Sequence, residues 1–105
     1  MIIQVVNFNL SGLSDADYRA ACDEFARTLA QVPGLLSKVW LADEASNTYG
    51  GVYTWVDQQA MEAFAQSEFF KAFVGNPSFA NITSATFGTL EGPNHLTRAR
   101  IPVAA

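Results

Sequence analysis

The spacing of apolar positions along this chain switches between a strand-like and a helix-like period, and the switches divide it into elements. Residues 2–9, IIQVVNFN, are rich in β-branched side chains and predict a strand that Ser11-Gly12 ends. Ser14 fits a helix N-cap, with Asp17 three residues on as its acidic partner. Tyr18, Ala21, Cys22, Phe25, Leu29 and Val32 then recur at helical spacing as one apolar stripe, stopped by Pro33-Gly34. Residues 35–41 and 49–56 read as two strands, and the polar loop 42–48 is short enough to make them an antiparallel hairpin. Asp57 caps a second helix carrying Ala60, Met61 and Phe64. Ser67 and Glu68 start a further turn with a bulky side of Phe69, Phe70, Phe73 and Val74, ended by Gly75-Asn76-Pro77. Residues 81–90 alternate as a last strand. Residues 91–105 read as a tail kept from regular structure by Pro93 and Pro102.

The order β-α-β-β-α-β predicts an α+β fold of ferredoxin-like form, with both helices on one face of a four-stranded antiparallel sheet. Residues 1–105 are long enough for one domain with one core, and nothing repeats or reads as a linker.

The hairpin carries the unusual residues. Side chains alternate along a strand, so Lys38 and Trp40 share one face and Val39 and Leu41 the other. In its partner strand Gly51, Tyr53 and Trp55 lie opposite Val52, Thr54 and Val56. Neither face of either strand is the charged surface of a sheet open to water, so the expectation is that both are covered, one by helices and one by another subunit. Packing alone is the competing reading for Trp40 and Trp55, and a surface lysine lying along a ring is the one for Lys38. Gly51 either relieves crowding at a bulge or leaves room for a ligand. Which way Lys38 and Trp40 point relative to Tyr53 and Trp55 depends on the hairpin register, which the sequence leaves open.

Charge and composition exclude more than they identify. Six basic residues against ten acidic give a net charge of −4, and the basic residues are scattered, which argues against a nucleic-acid partner. The lone Cys22 falls among apolar helical positions and reads as a buried structural thiol; the lone His95 reads as a surface or interface residue. No metal-ligand cluster, phosphate loop, dinucleotide fingerprint or Ser-His-Asp set appears. The N-terminus lacks the basic region of a signal peptide and no apolar run nears the roughly 18 residues of a membrane span, so the cytoplasm is the expected address, with no membrane partner.

Gly34-Leu35-Leu36-Ser37-Lys38-Val39-Trp40, the Gly50-Gly51-Val52-Tyr53 run and the helix start at Asp57 together resemble the YdhR-type monooxygenases of the dimeric α+β barrel superfamily, beside the antibiotic-biosynthesis monooxygenases. Gln4, Pro33-Gly34, Phe87 and Glu91-Gly92-Pro93 extend the likeness over most of the chain. The resemblance implies a homodimer packed sheet against sheet; the apolar Leu96, Ile101 and Val103 of the 91–105 tail add the expectation that it reaches across to the mate. It also implies a pocket for a small hydrophobic or aromatic molecule between each sheet and its own helices. The chemistry it suggests is monooxygenation of a phenol or quinol without metal, haem or flavin: the substrate loses a proton and its anion reacts with oxygen directly. On that expectation Lys38 and Tyr53 are the candidate catalytic residues, and Trp40, Trp55, Asn7, Gly51 and Phe64 the candidate substrate-binding ones; Asn9 is a second amide donor in the first strand. Haem-degrading members of the superfamily share Asn7, but they place a tryptophan at the position of Phe64 and the iron-binding histidine near Val74, so haem is not expected. The alternative is a non-catalytic dimeric barrel that binds or senses a small hydrophobic molecule.

Overall fold

The computed structural model describes residues 1–99. Its elements are β1 (Ile2–Leu10), α1 (Asp15–Leu29), β2 (Leu35–Asp43), β3 (Thr48–Trp55), α2 (Gln58–Ala65), α3 (Glu68–Gly75), β4 (Phe79–Gly88) and α4 (Glu91–Leu96). The strands form one antiparallel sheet in the order β2-β3-β1-β4, the ferredoxin-like arrangement that the element order predicts. No helix among the described residues is long and apolar enough to cross a membrane.

Caps fix the helices where the sequence puts them. The hydroxyl of Ser14 accepts from the Asp17 amide, the carboxylate of Asp57 from Ala60, and the hydroxyl of Ser67 from Phe70. Each satisfies an amide that the first turn leaves without an intrahelical partner. The 91–105 tail departs from expectation, because its first part is the short helix α4. Pro93 is the third residue of that helix, where no amide is needed and its fixed φ fits, so it permits the turn it was expected to prevent. Ile101, Pro102 and Val103 lie outside the described residues.

Cross-strand partners give the two sheet faces residue by residue. Lys38–Tyr53–Gln4–Thr86 and Trp40–Gly51–Val6–Ser84 run across one face; Val39–Val52–Val5–Ala85 and Leu41–Gly50–Asn7–Thr83 run across the other. The first face takes the helices: Val6, Phe8, Leu10, Tyr53, Trp55 and Phe79 are buried with Tyr18 and Leu29 of α1 and Phe64 of α2. The second face carries Val39 and Phe87, which are 58% and 56% exposed. One contact ties the hairpin turn to β1 and another ties the sheet to α1. Asn47, at the hairpin turn with φ 52°, donates to the Leu10 carbonyl and accepts from its amide. The buried Tyr49 ring brings its hydroxyl out to donate to Asp15 at the start of α1. Arg19, and then that hydroxyl, hold the Asp15 carboxyl below the usual carboxylate range.

Candidate functional site

The helices do not fill the space above the sheet. A cavity of about 240 Å³ remains between them and the strands. Phe8 of β1, Lys38 and Trp40 of β2, Tyr53 of β3 and Phe79 of β4 form its floor. Tyr18, Phe25 and Leu29 of α1, Phe64 of α2, Phe69, Phe70, Ala72 and Phe73 of α3, and Asn76 enclose it. Seven of the eight phenylalanines of the chain line this one space, and the eighth, Phe87, is on the outer sheet face. The rings pack edge to face and tilted against one another, as in Phe8–Phe73 at 5.3 Å and Phe64–Phe70 at 5.3 Å.

Lys38 is the only charged residue in that lining. Its Nζ sits 3.4 Å from the centre of the Trp40 ring and 4.7 Å from that of Tyr53. Among the described residues it meets no carboxylate, and no side chain accepts its protons. Rings replace water around the ammonium, and this desolvation lowers its pKa from 10.5 to about 8, against a smaller upward pull from the Cys22 thiol. Tyr53 is 7% exposed, and its hydroxyl has no partner among the described residues; burial pushes its pKa up to about 12. Tyr18 is shifted upward too, chiefly by burial.

The hairpin register, open in the sequence, puts Lys38 opposite Tyr53 and Trp40 opposite Gly51. Four candidates thereby meet at the cavity: Lys38, Trp40, Tyr53 and Phe64. The other three stand elsewhere. Trp55 is fully buried in the core, stacked on Tyr53 with centroids 6.0 Å apart, and its indole donates to Gln4 Oε1 at 2.9 Å. Gln4 in turn donates to Ser84, so a polar chain runs beneath the cavity without opening into it. Asn7 is on the opposite sheet face, where its amide donates to the Tyr49 carbonyl at 3.4 Å. Strand parity, which separates Asn7 from Val6 and Phe8, corrects that expectation.

Gly51 makes room, but for Lys38 rather than for a ligand. A Cβ there would come 2.4 Å from Lys38 Cε and 3.2 Å from the Val39 carbonyl oxygen. The Cε is the movable end of a flexible side chain, so Gly51→Ala is expected to fold and to displace the lysine. Its amine should then regain water and a pKa nearer the ordinary value of about 10.4. Lysine-selective NMR titration checks this; a value still near 8 would show that Gly51 does not seat the side chain.

The sequence reading missed Tyr18, Phe25, Phe79 and the α3 phenylalanines as cavity residues. The run Phe69-Phe70 with Phe73 on one short helix was the signal for the α3 rings; Tyr18, Phe25 and Phe79 carry none that separates them from core residues. Cys22 is half-buried beside the core, His95 lies on exposed α4, and neither lines the cavity.

Comparison with known proteins agrees with this architecture. The family model described as "Putative mono-oxygenase ydhR" matches residues 2–100. No curated protein matches the sequence. Among solved structures, a putative antibiotic biosynthesis monooxygenase from Deinococcus radiodurans is similar with a TM-score of 0.70 at 14% identity, over 86% of this chain and 93% of that one. SnoaB, a cofactor-independent oxygenase from Streptomyces nogalater, is similar with a TM-score of 0.69 at 16% identity, over 85% and 92%. A variant of MhuD with two manganese protoporphyrin IX molecules per active site is similar with a TM-score of 0.68 at 17% identity, over 86% and 95%. At these identities the likeness is one of fold.

Proposed function

The chain belongs to the ydhR mono-oxygenase family, and on that premise we propose that it is a cofactor-independent monooxygenase of small aromatic or quinol-type molecules bound in the cavity between sheet and helices. The observation that carries this reading is the Lys38 amine, without a carboxylate partner among the described residues, set against the rings of a mostly aromatic cavity. A phenol entering the cavity exchanges water for rings, and its anion gains the one positive charge available there. Oxyanion stabilisation of this kind is worth most where water is excluded. Trp40, Tyr53 and Phe64 hold the ring, and the Tyr53 hydroxyl is free to hydrogen-bond to it. Size restricts the substrate. An apolar cavity of about 150 Å³ takes up benzene, so about 240 Å³ suits one or two rings.

The test is oxygen uptake with hydroquinones, naphthols and an anthrone, with no cofactor added. Uptake confined to the one- and two-ring substrates supports the proposal. Saturable binding of such molecules with no uptake would make the protein a binder or sensor instead.

We extend the proposal to a homodimer. The face bearing Val39, Val52, Val5 and Phe87 is apolar and uncovered in one protomer, a patch of the kind soluble monomers seldom leave bare. Leu90 and Leu96, 72% and 78% exposed around α4, would add to the contact. Sedimentation equilibrium at micromolar concentration is expected to give the dimer mass, and Val39→Lys to shift it toward monomer. A wild-type protein that sediments as a clean monomer contradicts this.

A further inference from the structure

The chain has two lysines, and their surroundings differ as much as two lysines can. Lys71 is exposed on α3. Lys38 projects into the cavity over the rings of Trp40 and Tyr53, with no acid beside it among the described residues. We infer that Lys38 is a nucleophile as well as a charge, and that the cavity captures small aromatic aldehydes of one or two rings as an imine on its Nζ. The inference rests on the same cavity being a small-molecule site, but not on any reaction with oxygen.

Three features support it. An amine adds to a carbonyl only as the free base, and desolvation by aromatic walls is the usual way to supply that form near neutral pH. Among the described residues the titratable groups near Lys38 are the Cys22 thiol and Tyr18 phenol of α1 and the Tyr53 phenol of β3, and no carboxylate holds the proton in place. The rings that would surround an aryl group already line the space beyond the amine. Lys38 and Trp40 also border a second, more open cavity against Leu35, Leu36 and Ser37, which gives the amine a side open to solvent.

The step balances without oxidant or reductant. The Nζ lone pair forms a bond to the carbonyl carbon as the C=O π bond breaks. One nitrogen proton passes to that oxygen, giving a carbinolamine. The C–O bond then breaks and the oxygen leaves as water, taking a proton from the Tyr53 hydroxyl. The nitrogen lone pair forms the C=N bond, and its remaining proton returns to Tyr53. Amine and aldehyde have become imine and water.

The experiment is reductive trapping on the wild-type protein with 2-naphthaldehyde and cyanoborohydride at neutral pH, followed by intact mass and peptide mapping. A pKa near 8 leaves far more free amine at neutral pH than the ordinary lysine value does. Lys38 should therefore label about 10-fold or more faster than Lys71. Excess 2-naphthol should slow the labelling of Lys38 and leave that of Lys71 and the Met1 amine unchanged. Labelling of Lys71 at a rate equal to or above that of Lys38, or labelling of Lys38 that excess 2-naphthol does not slow, overturns the inference. No variant is needed, so misfolding cannot mask the result. Oxygen uptake without selective trapping would remove the imine step and leave the oxygenase reading standing; trapping without uptake would do the reverse.

Discussion

Gly50→Ala is expected to cost more than about 4 kcal/mol, a large part of the total stability of a domain this size. Gly50 lies in β3 with φ 149°, in the region that side chains avoid, and pairs with Asn7 of β1 in the middle of the sheet. A Cβ there would stand 1.8 Å from the Val6 carbonyl oxygen, 2.8 Å from its carbon and 3.0 Å from Asn7 Cα. All three are backbone atoms of the neighbouring strand, so nothing can swing aside, unlike the lysine stem at Gly51. The strands would have to part. Thermal unfolding followed by circular dichroism should show the midpoint lowered by roughly 15 °C or more, or no cooperative transition. A midpoint equal to wild type would mean that β1 and β3 do not approach as described.

Lys38→Met is expected to lower quinol turnover by about 100-fold while weakening substrate binding much less. Removing one donor to a developing oxyanion has effects of about that size, and an interaction made chiefly in the transition state appears in kcat rather than KM. The variant should not lose stability. In the wild type the folded-state pKa is depressed, so between about 8 and the ordinary 10.5 the unfolded chain holds the proton and the folded one does not. Wild-type stability should therefore rise with pH across that window, because the burial of a charge is relieved, and the rise should be absent in the variant. Wild-type kcat/KM should fall as pH passes through about 8 and the ammonium is lost. A limb that persists in Lys38→Met belongs to the substrate instead. Unchanged turnover in the variant would leave Lys38 without a catalytic role.

Local chemistry explains which parts of this structure are legible in the sequence. Ser14, Asp57 and Ser67 announce the three longer helices because capping is decided within four residues. The hairpin is legible for the same reason, through the polar loop 42–48. Its register is not, because the polar loop does not say where pairing begins; it begins at Asp43–Thr48 and runs unbroken to Ser37–Thr54, so the turn decides which pairs meet, and the slip between Leu35 and Ser37 shifts only the end beyond Lys38. Asn7 shows a second limit. Both alternating series of β1 are apolar, Ile3 and Val5 as well as Val6 and Phe8, so periodicity gives two faces without saying which one meets the helices. Trp55 and Trp40 look alike in sequence. Gln4, 51 residues from Trp55, accepts the indole proton and accounts for Trp55 as core, while Trp40 lies against a lysine at the cavity. The cavity itself is a shortfall in packing across seven elements, which no local pattern records.

The central claim is that a small aromatic molecule binds inside this cavity with an oxygen on Lys38. A crystal structure of the protein with bound hydroquinone or 2-naphthol tests it most directly. The account predicts the ring between Trp40, Tyr53 and the phenylalanines of α3, with its oxygen within about 3.2 Å of Lys38 Nζ. A cavity empty at saturating ligand, or a molecule ordered only on the outer sheet face, would contradict it.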